Sequence, residues 1–365
     1  MGDNTGINWA DATWNPTVGC SIKHKGCTNC YAMAWAHRLA SMPNGGKYAG
    51  LTKEVNGHPV WNGVVRLEHS ALDQPIRWSK PRTIFVDSMS DLFHESLPVD
   101  AVDQVMARIA VADWHRFLVL TKRPQIAAAY FGGDWRRRVA HLLITADMPK
   151  SIKASARAEA ATFLLGGGTL ENLWLGTSPV DQETADTDIP ALLHTRREFA
   201  GFWISAEPLI GQMILRPEWM SRGPVAGMPS RLGWVVAGGE SNPGDPAAAR
   251  LTNPAWMRLL RDACATHSVP FHLKQWGEWV DWRQIGADGW RLTKQIDGEL
   301  FGKLSRVIEF QDVDLFKGAA FPTRYPFPIG ADPGPAMACV GKHNSGRSLD
   351  GVIHNGTPGG LVNGS

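Results

Sequence analysis

Thr83-Ile84-Phe85-Val86 is an unbroken run of β-branched and apolar residues, and it passes directly into the polar turn Asp87-Ser88-Met89-Ser90-Asp91. Residues of this kind suit a pleated, half-buried surface. A continuous apolar run, in place of alternation, is what a strand buried on both faces requires, and such strands belong to parallel sheets. The same pattern recurs outward from this point. Phe117-Leu118-Val119-Leu120 ends in Thr121-Lys122-Arg123-Pro124, and Leu173-Trp174-Leu175-Gly176 ends in Thr177-Ser178. Phe202-Trp203-Ile204-Ser205 ends in Ala206-Glu207-Pro208, and Trp234-Val235-Val236-Ala237 in Gly238-Gly239-Glu240-Ser241. Pro270-Phe271-His272-Leu273 closes the series and ends in Lys274-Gln275-Trp276.

Helical patterns lie between these runs, over 31–39, 99–112, 125–131 with a helix-rich continuation to 165, 189–194 and 254–265. A short first strand is expected over 7–13. Residues 41–63, punctuated by Pro43, Gly45, Gly46 and the Asn56-Gly57 pair, read as an irregular insertion. Residues 64–78 suggest a short helix around Leu67, Ala71 and Leu72. Alternating strand and helix is the signature of an α/β fold with right-handed crossovers. About seven units suit a TIM-like (β/α) barrel, complete or open, with a doubly wound sheet as the alternative. The barrel accounts for 1–282. Residues 283–365, rich in Gly, Pro and Asp with one weak strand over 306–310, form a C-terminal extension.

The densest chemistry lies ahead of the first long strand, in Asn15-Pro16-Thr17-Val18-Gly19-Cys20 and Gly26-Cys27-Thr28-Asn29-Cys30-Tyr31-Ala32. Three of the five cysteines fall in eleven residues, with six residues between Cys20 and Cys27 and two between Cys27 and Cys30. Thiolates so spaced can converge on one metal centre. Cys20, Cys27 and Cys30 could hold a [4Fe–4S] cluster with one iron left open. With His24 they could close a Cys3His zinc site, or they could be three unligated thiols. Gly19 and Gly26 give the loop permissive backbone. A disulfide scaffold does not suit an odd, clustered set in a long chain.

Composition sets wide limits. The chain has 365 residues, 44% hydrophobic and 20% charged, with a formal charge of +2 and sixteen tryptophans. That is ordinary for a globular protein with a sizeable core, and the charge neither implies nor excludes a nucleic-acid partner. The N-terminus lacks a charged-then-apolar leader pattern, and no apolar run approaches a membrane span. Cytoplasmic residence is the expectation. Arg136-Arg137-Arg138, with Lys150 and Lys153, is the main basic concentration, a solvated helix face or a phosphate contact. Cys264 sits in a helical pattern and reads as a buried, inert thiol.

The cysteine stretch resembles the cluster loop of radical S-adenosylmethionine (SAM) enzymes, in the branch related to spore photoproduct lyase. There an Asn-Pro-x-x-Gly-Cys segment precedes a Gly-Cys-x-x-Cys-Tyr-Ala segment. More narrowly, the chain is similar to a phage-associated family of unassigned function in that branch. Cys339-Val340-Gly341-Lys342 and Gly346-Arg347-Ser348-Leu349-Asp350-Gly351 resemble that family's C-terminal segment. Two departures stand out: the superfamily usually has three residues between its first two cysteines, and an aromatic residue often stands where this chain has Asn29. The resemblance implies a partial barrel, a [4Fe–4S] cluster on Cys20, Cys27 and Cys30, SAM on the open iron, and a reductase or other electron donor. It makes a nucleic acid or nucleotide a candidate substrate.

The polar strand ends then become candidate SAM or substrate contacts: Asp87, Ser88 and Ser90 (with Asp91), Lys122 (with Arg123), Ser178, Glu207, Gly238, Gly239, Glu240, and Lys274 with Gln275. The Gly-Gly-Glu-like motif usual after the second strand is absent, so Asp87–Asp91 is a positional substitute. Cys339 is a candidate hydrogen donor by analogy with the extra cysteine of spore photoproduct lyase.

Overall fold

A computed structural model of the chain describes residues 5–43, 46–195, 198–221, 230–242, 245–281, 308–309, 336–339, 341–343 and 345–359. Seven strands form one parallel sheet: β1 (Ala12–Trp14), β2 (Thr83–Val86), β3 (Arg116–Thr121), β4 (Leu170–Thr177), β5 (Phe199–Ala206), β6 (Leu232–Gly238) and β7 (Phe271–Gln275). Their spatial order is their chain order. A doubly wound sheet would reverse direction partway; this one does not. It curls into a half-barrel with helices on its outer face. The principal helices are α1 (Tyr31–Ala40), α2 (Val99–Val111), α3 (Pro124–Gly132), α4 (Trp135–Thr145), α5 (Ala154–Leu165), α6 (Gln182–Leu193) and α7 (Pro254–Thr266). No helix among the described residues is long and apolar enough to cross a membrane.

Strand alternation sorts the core into two layers. Ile84, Val86, Phe117, Val119, Leu173, Leu175, Phe202 and Ile204 face the helices. Phe85, Leu118, Trp174, Trp203, Trp234 and Val236 face the barrel interior and form a second cluster with Trp9. Trp203 and Trp234 stack at 5.2 Å, and Trp9 meets Phe85 at 4.9 Å and Trp203 at 5.4 Å, edge on. Gly176 is obligatory here, because a Cβ on it would lie 2.5 Å from the indole nitrogen of Trp203. The lower interior is thus solid with indole. The upper interior, toward the C-terminal strand ends, is polar.

The open side of the half-barrel and its β7 edge are covered. The first strand expected over 7–13 is shorter and later, because residues 7–10 cross the open side instead. Asn8 Nδ2 donates to Lys274 O (3.2 Å) at the β7 edge, and Asp11 N donates to Thr83 O (2.8 Å) beside β1. Trp9, between them, plugs the interior. On the outer side of β7, Leu273 N donates to His354 O (3.0 Å) and Gly356 N to Phe271 O (2.9 Å). The chain's own C-terminal residues therefore satisfy an edge that would otherwise template aggregation.

Other local differences have local causes. The insertion over 41–63 contains a hairpin, Thr52–Val55 with His58–Trp61. Its turn residues Asn56 and Gly57 have φ of 52° and 76°, the requirement of a type I′ turn. Helix α6 begins at Gln182, ahead of 189, because Asp181 and Thr184 form a reciprocal capping box. Residues 64–78 give two short helices, His69–Leu72 and Gln74–Arg77. Of the strand expected over 306–310, Ile308–Glu309 pairs with Ala336–Cys339, which pairs in turn with Trp279–Asp281. The rest of that strand, and most of 283–335, lies outside the described residues.

Candidate functional site

The cysteine loop lies across the C-terminal ends of β1, β2 and β3 and is tied down along its length. Asp87 Oδ1 accepts from Thr17 N (3.1 Å), and Ser90 Oγ donates to Gly19 O (2.8 Å). Ser21 Oγ meets both Arg123 Nη2 (2.7 Å) and His94 Nε2 (2.8 Å). Lys25 pairs with Asp181 at the start of α6. Asn29 Nδ2 donates to Glu240 Oε2 (2.9 Å), and Arg250, paired with the same carboxylate, also donates to Lys25 O (2.8 Å). Tyr31 OH donates to Ser88 O (2.7 Å). Gly19 takes φ +91°, and a Cβ there would meet Val64 O at 2.0 Å. Gly26 serves by size alone, since a Cβ would lie 2.5 Å from Val180 Cγ1.

Beneath the loop is an ionic knot centred on the buried Arg123. Arg123 bonds to Asp91 Oδ2 (3.0 Å) and pairs with Glu95. Asp91 also accepts from Thr121 Oγ1 (2.6 Å) and Lys122 N (3.0 Å). Arg123 is 1% exposed, and its guanidinium donors are taken by Asp91, Glu95 and Ser21.

Cys20, Cys27 and Cys30 are free thiols near enough to influence one another. Burial, then Asp91, pushes Cys20 up to about 12, with Cys30 and Cys27 adding to the rise and Arg123 opposing it. Burial likewise raises Cys30, and Lys122 works against it. No trio of His, Cys, Asp or Glu side chains among the described residues is gathered tightly enough, as placed, to hold a metal ion. The donor set is nevertheless that of a three-thiolate centre: three thiols on one anchored loop, with two cations beside them to favour the ionised form. At His24, Nδ1 accepts from Gly26 N (3.0 Å), Nε2 is buried without a partner, and burial pulls the ring's pKa down to about 4.

The opposite side of the mouth is arranged differently. Lys122 Nζ donates to Ser178 Oγ (2.9 Å), which donates to Glu207 O (3.0 Å). Glu207 accepts from Ser205 Oγ (3.1 Å) and from Lys274 Nζ (2.7 Å). Tyr31 reaches this group from α1, and its hydroxyl is raised by burial and by the neighbouring Cys30 and Glu207. Lys122, Ser178, Glu207 and Lys274 therefore share one rim with Cys30 and Tyr31.

The remaining candidates separate from that rim. Asp87 is buried, its Oδ2 has no partner, and burial pushes its carboxyl up to about 8. Ser88 Oγ donates to Asn15 Oδ1 (3.0 Å). With Ser90 they hold the cysteine loop. Gly239 packs on the chain itself, since a Cβ would meet Trp276 O at 1.8 Å, and Gly238 leaves room for the Glu207 side chain. Glu240 is taken by Arg250 and Asn29. Cys339 lies in a separate apolar cluster with Ala249, Leu251, Trp279 and Met337, and burial raises its thiol. Cys264 is buried in α7 and pushed up to about 12. In the basic run, Arg136 pairs with Glu198 (2.7 Å) and Arg138 with Asp103 (2.7 Å), leaving Arg137 as the solvent-facing member. Sequence reasoning missed the Asn29–Glu240–Arg250 tie, whose members come together across 211 residues of chain; no local pattern announces it.

No curated protein matches the chain. Among solved structures, a mutant of spore photoproduct lyase is similar at 10% identity and a TM-score of 0.28, over 76% of this chain and 79% of that one. The family model described as "protein of unknown function (DUF5131)" matches residues 4–358, and the chain belongs to that family.

Proposed function

We propose that this protein is a radical SAM enzyme that carries a [4Fe–4S] cluster on Cys20, Cys27 and Cys30. The observation that carries the reading is an anchored three-cysteine loop set over the C-terminal strand ends of a half-barrel, where sites of such folds form. The motif's resemblance to radical SAM cluster loops supports it. When bound, the cluster supplies one electron for reductive cleavage of SAM, the source of a carbon-centred radical. The chain's own contribution is positional and electrostatic. Arg123 and Lys122 oppose part of the rise that burial imposes on the Cys20 and Cys30 thiols. The Arg123–Asp91–Glu95 knot and the Glu240 tie fix the loop backbone. Glu207, partly exposed and close enough to act on Tyr31, is suited to the ammonium or ribose hydroxyls of SAM, while the buried Ser178 holds Lys122 in place. The indole-filled lower interior closes the barrel floor against water. A reductase or equivalent donor supplies the electron.

The test is anaerobic reconstitution with iron and sulfide, then low-temperature electron paramagnetic resonance of the reduced protein. A [4Fe–4S]⁺ signal that changes on adding SAM is expected. A protein that takes up no cluster and holds about one zinc per chain would overturn the proposal.

A further inference from the structure

We propose that the exposed face of α1, carrying Tyr31, Trp35 and Arg38, is a stacking platform that delivers a single-stranded nucleic acid to the mouth. As a substrate assignment it rests on the SAM-dependent reading above. Trp9, Trp203 and Trp234 fill the barrel interior, but Trp35 is 42% exposed and Tyr31 41%. Positions 31, 35 and 38 share one helix face, and Ala34 and Met42 extend it as exposed residues. The helix does not need that face for its own packing, because Ala32, Met33 and Ala36 bury the other one beside Leu51 and Trp61. The Arg38 guanidinium lies over the Trp35 ring, 5.4 Å from its centroid, which braces the indole. The platform meets the mouth at its N-terminal end. There α1 begins directly after Cys30, and Tyr31 OH donates to Ser88 O (2.7 Å) just past β2. Trp35 stands one helical turn, about 6 Å, further on.

The charge around the platform selects the partner. Residues 20–68 hold six lysines and arginines against two glutamates, in a chain whose whole surplus is +2. Neither glutamate neutralises one of those cations. Glu54 faces His37 (3.7 Å), and Glu68 accepts from Ser70 N (3.2 Å). Arg38 and Lys47 lie over aromatic rings, and Arg66 donates to the carbonyls of Lys47 (2.8 Å) and Ala49 (3.1 Å). Among the described residues these three and Lys53 have no carboxylate partner. The basic run on α4, by contrast, is mostly paired. Rings that stack on bases, flanked by cations that follow a phosphate backbone, are the two parts of a single-strand site. An apolar protein partner would use the rings and leave the surplus charge unmatched.

The test is fluorescence anisotropy titration of the full chain, without iron, at low and raised salt. The probe is a labelled single-stranded oligonucleotide of mixed sequence, made as DNA and as RNA. Saturable binding that weakens with salt is expected. Trp35→Ala should weaken it about tenfold, the loss of one stacked base, and Trp35→Phe should retain it. Arg38→Glu should weaken it more at low salt than at raised salt. Arg137→Glu, on α4, should bind as the unaltered chain does. Absence of saturable binding, equal affinity in Trp35→Ala, or a larger loss in Arg137→Glu than in Arg38→Glu would each overturn the proposal. So would equal binding of polyglutamate, which would give the surface to an acidic protein. The titration needs no cluster. Binding by a chain that assembles no cluster would sink the radical reading and leave the platform standing as a binding site; a SAM-responsive cluster without binding would do the opposite.

Discussion

On the cysteine-loop side of the mouth, Arg123 is sealed beneath the loop and its guanidinium is divided among Asp91, Glu95 and Ser21. On the other side, Lys274 pairs with Glu207 (2.7 Å) and Lys122 donates to Ser178 Oγ (2.9 Å), so two cations stand near one carboxylate. The two regions hold similar residue types in similar strand-end positions. What differs is whether the charges close on one another. A closed knot rigidifies a loop; an unbalanced rim has affinity left for a ligand. Strand-end position therefore marks where a site can be, and charge balance marks which groups are still available to it.

The comparison can be broken most decisively at the thiols. Cys27→Ala should take iron after reconstitution from about four atoms per chain to near none, whereas Cys264→Ala should leave it unchanged; iron and sulfide analysis decides. Equal iron in both would remove the loop from the chemistry altogether. Next in size is Arg123→Met. It strands the buried Asp91 carboxylate, at a cost of about 3–5 kcal/mol, read as a lower denaturation midpoint. A shift no larger than that of an exposed arginine would mean the knot is not closed.

Asp87 gives a pH signature. Its carboxyl lies near pH 8 in the fold because burial disfavours the charge, against 3.8 ordinarily. The folded state thus holds the proton more tightly than the unfolded state. Stability is full below about pH 4, falls as pH rises toward 8, and is level beyond. Asp87→Asn keeps the acceptor for Thr17 N and should flatten that slope, gaining on the order of a few kcal/mol at pH 9. Denaturant midpoints across pH 4–9 that fall in parallel for both proteins would place the titration elsewhere.

On the rim, Lys122→Met should shift stability by less than about 1 kcal/mol, yet slow reductive SAM cleavage about tenfold. The smallest effect is expected at Arg137→Ala, within about 0.5 kcal/mol, since that residue faces solvent with only a 3.7 Å contact to Asp134. A larger loss there than at Arg138→Ala would reverse the division of the basic run into paired and free members.

The strands, their order of appearance and the cysteine loop are legible in the sequence because each is a local matter. An apolar run of four residues, a turn of polar residues and a two-residue cysteine gap depend on neighbours in the chain. That locality is why β2 matches its expected run, β3 through β6 extend theirs by at most three residues at either end, β7 is shifted by one or two, and α1 begins at Tyr31 directly after Cys30. Where a distant partner intervenes, local reading stops. Residues 7–10 have strand character, but Trp9 finds a better place among Phe85, Trp203 and Trp234.

The same boundary runs through the site. The sequence by itself determined a parallel α/β sheet, the position of its polar rim and a three-thiol loop. Only the tertiary structure decided that Arg123, Asp87 and Glu240 are buried against the loop while Lys122, Glu207 and Lys274 keep partly exposed side chains at the strand ends. The reason is that a side chain's availability depends on its hydrogen-bonding and ion-pairing partners. Those partners, such as Asn29 for Glu240 or Glu207 for Lys274, are supplied by strands and loops far away in the chain.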